Sequence, residues 1–234
     1  MLVWGKNVFN EIDTTKIRKV YIDKNKEREF IPYLKEHKLR YDLVDKRVLD
    51  DMSAKNNQGI VVDIYDYEYK ELESCYNDDL VLMLDHLEDP HNFGAIIRTC
   101  ECAGVKHIII PKDRSVRVNE TVIKVSTGAI SYVDVIMVSN LSNAIDKLKN
   151  NGFFVYGADM DGKNYTDVDY ADKKVLIIGN EGKGISNIVS DNCDEIISIP
   201  MEGKINSLNA SVSAGILIYG IKGVKWKANT KMNS

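Results

Sequence analysis

Three polar stretches of this 234-residue chain carry side chains suited to binding a ligand or an anion. The first, EDPHNFGAIIRTCECAGV, runs from Glu88 to Val105. Ala95, Ile96, Ile97, Cys100, Cys102, Ala103 and Val105 read as the buried stripe of a helix, and Arg98 sits among them. Asn92 is a candidate N-cap. Gly94 would let another backbone or a ligand come close. A permanent charge in such a stripe calls for a partner. Glu101, one turn on, offers a salt bridge; the alternative is a charge aimed into a site. The second stretch, IIGNEGKGI, spans 177–185 and places Gly179, Gly182 and Gly184 after a strand. A phosphate-cradling loop is one reading, but the spacing is GxxGxG rather than GxGxxG, and no GK[ST] follows. A tight strand-to-helix turn explains the glycines equally well; it has no need of Glu181. The third, IPMEGKINSLNASVSAG (199–215), carries Glu202, Lys204, Asn206, Ser207 and Asn209 before a helix of small residues. As a purely structural element it would be a core helix capped by Ser207 or Asn206.

The four cysteines form no CxxC pair, and Cys100 and Cys102 point to different sides of a helix, so no metal site is expected. Reduced thiols of a cytoplasmic protein are the reading. The N-terminus lacks a signal-peptide apolar region, and no apolar run approaches the about 18 residues of a membrane span.

The elements that must position these residues alternate regularly from Leu80 onward. Strands are predicted at 80–85, 107–111, 133–138, 153–158, 174–180 and 195–200, with helices at Asn92–Ala103, Leu141–Asn150 and Ser207–Gly220. Near-continuous Val/Ile/Leu strands alternating with helices indicate a parallel sheet covered on both faces. Such sheets bind ligands at the carboxyl ends of their strands, where all three stretches fall. Before Leu80 a small α/β unit is expected, with strands at 18–23, 41–44 and 59–64 and a helix at 26–37. The acidic segment around 65–79 separates the two.

Hydrophobic residues make up 44% of the chain and charged residues 28%, ordinary for a globular protein with a sizeable core. The net charge of -4 argues against a generally basic nucleic-acid binder, and DNA is not expected. The first fifty residues nevertheless hold twelve Lys/Arg against nine Asp/Glu, a local basic bias that suits phosphate.

Taken together, the three stretches resemble the motifs of the SpoU/TrmH-type RNA 2′-O-ribose methyltransferases of the SPOUT superfamily. The pattern N-x-G-x-x-x-R matches Asn92, Gly94 and Arg98. G-x-E-G-x-G matches Gly179–Gly184, and I-P-M … S-L-N-x-S-x-A matches the third stretch. KVSTGAI (124–130) resembles a further family segment. VWGKNVFNEI and NNQGIVV resemble an N-terminal RNA-binding domain similar to ribosomal protein L30e, with Asn57 where many relatives have histidine.

The resemblance implies an α/β fold in two parts: residues 1–66 as the L30e-like substrate-binding domain, 67–79 as linker, and 80–234 as a methyltransferase domain whose C-terminal segment forms a deep trefoil knot. It implies S-adenosyl-L-methionine as cofactor, bordered by Gly179, Ile199 and Leu208 with Ala158 and Met201 nearby, and a homodimer with the active site at the interface. It also implies RNA as substrate. The N-terminal domain favours ribosomal RNA, with a guanosine of 23S ribosomal RNA as the expected target. Transfer RNA, or a non-catalytic RNA-binding role on the same fold, are the alternatives. A Rossmann-type enzyme is disfavoured because HLEDPHNFG supplies no glycine-rich turn after the first strand of the sheet.

A ribose 2′-hydroxyl is a poor nucleophile and needs activation. The implied catalytic residues are Asn92, Arg98, Glu181, Ser207 and Asn209. A guanidinium is too weak a base to take the proton, its pKa exceeding about 12. Arg98 is therefore expected to bind the adjacent phosphate and stabilise the forming alkoxide. Proton acceptance would fall to that phosphate or a water. Glu181 would orient Arg98 or its own turn, and Ser207 and Asn209 would hold the ribose and the second loop.

Overall fold

The computed structural model describes residues 1–53, 56–180, 182–204 and 207–223. The N-terminal part comprises β1 (Leu2–Trp4), α1 (Lys6–Glu11), β2 (Ile17–Asp23), α2 (Glu27–Glu36), β3 (Tyr41–Val44), α3 (Lys46–Met52) and β4 (Ile60–Ile64). Its sheet has the order β1-β4-β2-β3, with β4 antiparallel to β1 and β2, and β2 parallel to β3. Asn57 is buried in the turn before β4. Its amide donates to Asp50 (2.8 Å) and its Oδ1 accepts from the Gly59 N–H (2.9 Å), so the asparagine closes this turn.

The segment after β4 is held along the second sheet by two tyrosines. The Val135 N–H donates to the Tyr67 hydroxyl (2.9 Å) and the Val118 N–H to that of Tyr69 (3.0 Å). Burial pushes the Tyr67 phenol up to about 12.

The remaining elements are β5 (Leu80–Leu84), α4 (Pro90–Ala103), β6 (His107–Pro111), α5 (Glu120–Ser126), β7 (Asp134–Val138), α6 (Leu141–Asn150), β8 (Phe154–Asn164), β9 (Lys174–Ile178), α7 (Asn187–Ser190), β10 (Glu195–Ser198) and α8 (Ala210–Lys222). The six strands form one parallel sheet of order β10-β8-β9-β5-β6-β7. The side chains of β5 alternate between two cores. Leu80, Leu82 and Leu84 pack with α4, α5 and α8, while Val81 and Met83 pack with α6 and α7. This double burial is why the strands read as continuous apolar runs. Among the described residues no helix is long and apolar enough to cross a membrane.

Of the boundaries that differ from expectation, three have a physical reason visible in the structure. Helix α4 begins at Pro90 with Asp89 as its cap, the carboxylate accepting from the His91 N–H (2.9 Å); proline is well placed at a first helical position. Asn92, expected as that cap, is instead buried in the first turn. Helix α8 begins at Ala210, capped by Asn209, whose Oδ1 accepts from the Ser211 N–H (3.0 Å); Ser207 precedes it, and Asn206 lies outside the described residues. Strand β8 runs six residues beyond its expected end. Its polar end, with Asp159, Asp161 and Lys163, lacks a strand's apolar signature, yet β10 pairs with it after a register shift between Ile196 and Ile197. At Gly162 a Cβ would lie 2.5 Å from the Ile197 carbonyl carbon, so only glycine permits this pairing.

Candidate active site

The loops at the carboxyl ends of β8, β9 and β10 enclose, with α8, a cavity of about 660 Å³. It opens on the side of β5 where the strand order reverses, the usual crevice of a parallel sheet. Ala158, Gly179, Ile199, Met201 and Leu208 all line it, as does Ser207. Five residues separated by up to fifty positions in sequence thus share one wall system. Its surface is mixed: Ile178, Ile197 and Leu217 contribute apolar area, and Asp159, Asp161 and Ser213 contribute polar groups that the sequence did not single out.

Two of the three glycines in the second stretch are accounted for by the turn itself. At Gly179 a Cβ would lie 2.0 Å from the Gly184 carbonyl carbon, and Gly184 has φ +65°. The turn is closed by paired backbone bonds between Asn180 and Gly184 (3.0 and 2.8 Å). Gly182 is different. Its φ is not in the left-handed region, and a Cβ there would meet nothing nearer than Asn180 Oδ1 at 3.7 Å. Among the described residues nothing requires glycine at this cavity-lining position, and its missing side chain leaves the cavity open there. Glu181, between these residues, lies outside the described residues.

Side-chain bonds join the three stretches. Asn209 Nδ2 donates to Asn92 Oδ1 (3.0 Å), linking the caps of α8 and the first turn of α4 across 117 positions. Asn180 Nδ2 donates to the His86 carbonyl (3.0 Å), tying the glycine turn to the loop after β5. Asp85, 1% exposed, accepts from the Ser186 N–H (2.6 Å) and contacts His86 Nδ1. Asp85, His86 and Asn180 are therefore positioning residues that the sequence reading missed. The available signal was Asp85 itself, a carboxylate closing an otherwise apolar strand.

Arg98 is placed otherwise than expected. It does not lie in the buried stripe of α4, which consists of Asn92, Phe93, Gly94, Ile96, Ile97, Cys100 and Ala103; it is exposed, on the same side as Glu101 and Cys102. Ala95 is only half-buried and Cys102 is exposed, so both leave the stripe as well. At 100° per residue, Arg98 and Cys102 lie about 100° and 140° round the helix from Ile97 and so turn away from the face that Ile97 and Cys100 bury. The alternative of a salt bridge to Glu101 is not realised: among the described residues Arg98 has no ion pair or hydrogen bond. Gly94 serves helix packing, since a Cβ there would sit 2.7 Å from Val125 Cβ of α5. Arg98 does not line the first cavity. It lines a second one, of about 780 Å³, between α4, the turn after α5 and the end of α1. No cluster of metal-ligating side chains exists among the described residues.

Comparison with known proteins gives these features a context. A model of the SpoU rRNA Methylase family matches residues 79–219. A second, described as RNA 2′-O ribose methyltransferase substrate binding, matches residues 2–70. A Staphylococcus aureus (strain COL) protein named as a TrmH family tRNA/rRNA methyltransferase is 42% identical over 208 residues, 86% of this chain and 84% of its own. The crystal structure of the SpoU methyltransferase AviRb from Streptomyces viridochromogenes in complex with the cofactor AdoMet matches with a TM-score of 0.82 at 22% identity, over 95% of this chain and 89% of that one. The A. aeolicus TrmH/SpoU tRNA modifying enzyme matches with a TM-score of 0.58 at 30% identity, over 65% of this chain and 81% of that one.

Proposed function

Because the chain belongs to the SpoU/TrmH family of RNA methyltransferases, we propose that it transfers a methyl group from S-adenosylmethionine to a ribose 2′-hydroxyl of RNA. The observation that carries this reading is the single cavity shared by Ala158, Gly179, Ile199, Met201 and Leu208. Its residues fit the cofactor. The volume of about 660 Å³ lies within the range of roughly 300–1,000 Å³ usual for small-molecule sites. Ile178, Ile197, Ile199 and Leu208 offer apolar walls for an adenine, Gly182 leaves its face open, and the carboxylates of Asp159 and Asp161 complement a cofactor bearing a sulfonium and an ammonium. When bound, S-adenosylmethionine supplies an electrophilic methyl carbon.

The chain's residues supply the rest. The exposed Arg98 guanidinium grips a phosphate of the RNA with its planar fork and stabilises the ribose oxygen as it gains charge. The hydroxyl proton leaves to that phosphate or to a water, because Arg98 cannot accept it. Glu181 orients Arg98 or the turn that carries it. Ser207, in the wall of the cofactor cavity, holds the ribose. Asn209 and Asn92 act through each other, bracing α8 against α4.

Since Arg98 faces away from the first cavity, the reading requires a second copy of the chain to bring its Arg98 to the cofactor, giving a homodimer with shared sites. Val212 and Tyr219 on α8, exposed large apolar side chains, suit such a contact. The reading extends to a deep trefoil knot in the C-terminal segment. Residues 1–66 serve as the substrate-binding part, and ribosomal RNA is the favoured substrate, with a guanosine as the target nucleotide. What supports this is the match of residues 2–70 to a model of the substrate-binding part of RNA 2′-O ribose methyltransferases. Mapping 2′-O-methylation in total RNA with and without the gene tests it: one ribosomal site should vanish, whereas loss of a transfer-RNA site instead would overturn the substrate assignment.

A further inference from the structure

We propose that the second cavity is a pocket for a guanine base of the RNA, stacked on Tyr132 and read by Glu11. This rests on the reading of the chain as an RNA methyltransferase and deepens it to the base that is recognised. The cavity lies where the N-terminal part meets the sheet's helices. Asn10–Asp13 form one wall, Arg98, Glu101 and Cys102 of α4 another, and Ser126–Ala129 with Ser131 and Tyr132 the third.

The charges decide what kind of group enters. Three carboxylates, Glu11, Asp13 and Glu101, face one guanidinium, which disfavours a phosphate deep in the cavity and favours a hydrogen-bond donor. Asp13 is already committed: it accepts from the Thr15 N–H (2.9 Å) and hydroxyl (2.8 Å), bonds that lower its carboxyl below the usual range. Glu101 is engaged with Cys102. Glu11 has no hydrogen-bond or ion-pair partner among the described residues and lies against Gly128, its Cβ and Oε2 each 2.7 Å from where a Cβ on that glycine would stand. An uncommitted carboxylate in the cavity wall matches the adjacent N1–H and N2–H donors of guanine's Watson–Crick edge and repels the acceptors of uracil.

Tyr132 provides the second half. It is 76% exposed although it lines the cavity, and its ring and hydroxyl have no partner among the described residues. Its backbone is fixed, the N–H donating to the Ala129 carbonyl (3.0 Å). An exposed aromatic face beside a base-edge acceptor is the arrangement by which unstacked nucleotides are bound. Arg98, also unpaired on the same cavity, meets the ribose and phosphate that the bound base leaves at the rim.

The test measures binding of a fluorescein-labelled single-stranded RNA carrying one guanosine among adenosines and uridines, and of the same RNA with inosine, which lacks the 2-amino group. The full chain is used, without any need for turnover. Tyr132→Ala should weaken binding about tenfold or more, the scale of one lost base–aromatic stack, while Tyr132→Phe binds like the native chain. The native chain should bind guanosine RNA several-fold more tightly than inosine RNA, and Glu11→Gln should abolish the difference. Binding by Tyr132→Ala within twofold of native, or equal binding of the two RNAs by the native chain, overturns the proposal. If these effects appear but the native chain methylates no RNA, the pocket stands and the methyltransferase reading falls.

Discussion

Asn209 Nδ2 lies 3.0 Å from Asn92 Oδ1, and the same Asn209 caps α8 through its Oδ1. One side chain thus sets where the last helix begins and where the first helix of the sheet unit rests against it. Ser207 and Leu208, immediately before the cap, line the first cavity, so the cap also fixes how the third stretch enters that cavity.

Replacing Asn209 by Ala removes both functions. Loss of the cap costs about 1 kcal/mol, and loss of the hydrogen bond to Asn92 costs about 0.5–1.5 kcal/mol more. Asn209→Asp keeps the cap acceptor and loses only the donor to Asn92. Urea unfolding should rank native, Asp and Ala in descending midpoint. Equal midpoints for native and Ala would show that the brace carries no stability.

The glycine turn separates packing from ligand space. Gly179→Ala drives a Cβ to 2.0 Å from Gly184 and should lower the melting temperature markedly or prevent folding. Gly182→Ala has room and should melt like the native chain. Its S-adenosylmethionine affinity should nonetheless fall about tenfold, equivalent to about 1.4 kcal/mol, in a calorimetric titration. Native affinity in Gly182→Ala would show that the cofactor does not use the space this glycine leaves.

Arg98→Ala should retain the dimer and cofactor binding while losing methyl transfer by about 10²-fold or more. A mixing experiment tests the shared site. Arg98→Ala chains have an intact cavity, and Gly182→Trp chains have an intact arginine. Mixed dimers place one intact cavity opposite one intact Arg98, so activity should return on mixing. Mixtures as inactive as their components would place arginine and cofactor in the same chain.

Thiol chemistry checks the packing. Burial raises the Cys75 and Cys193 thiols to about 12, and raises that of Cys100 still further in the same direction. A raised thiol pKa means less thiolate at pH 8, and these side chains are also sheltered. Cys102 is raised as well, again chiefly by burial, but it is exposed at the second cavity. Native protein at pH 8 should therefore show one fast-reacting thiol with a disulfide reagent, and Cys102→Ser should abolish the fast phase. Several fast thiols would contradict the packing around the sheet.

The sheet was readable from the sequence because burial on both faces makes apolar runs of β5, β6 and β9 unmistakable. The end of β8 was not, since its pairing depends on a distant strand and on Gly162 rather than on its own polarity. The five residues expected around the cofactor share a cavity because motif order encodes which strand ends meet. The stripe of α4 is narrower than the apolar residues around Arg98 suggest, without Ala95 and Cys102, because a run with i, i+1 apolar neighbours admits two helical faces and only tertiary contacts with α5 and α8 choose between them. The roles of Asp85 and His86 are not legible in the sequence because their partners are distant: Ser186, 101 positions from Asp85, donates through its backbone, and Asn180, 94 positions from His86, donates to its carbonyl.

The most direct measurement is transfer of an isotopically labelled methyl group from S-adenosylmethionine to ribosomal RNA by the purified chain, followed by digestion to nucleosides and mass spectrometry. The account predicts a single labelled nucleoside whose label resides on the ribose, at the 2′-oxygen. Label on a base, or no transfer to RNA by a chain that binds the cofactor, would contradict it.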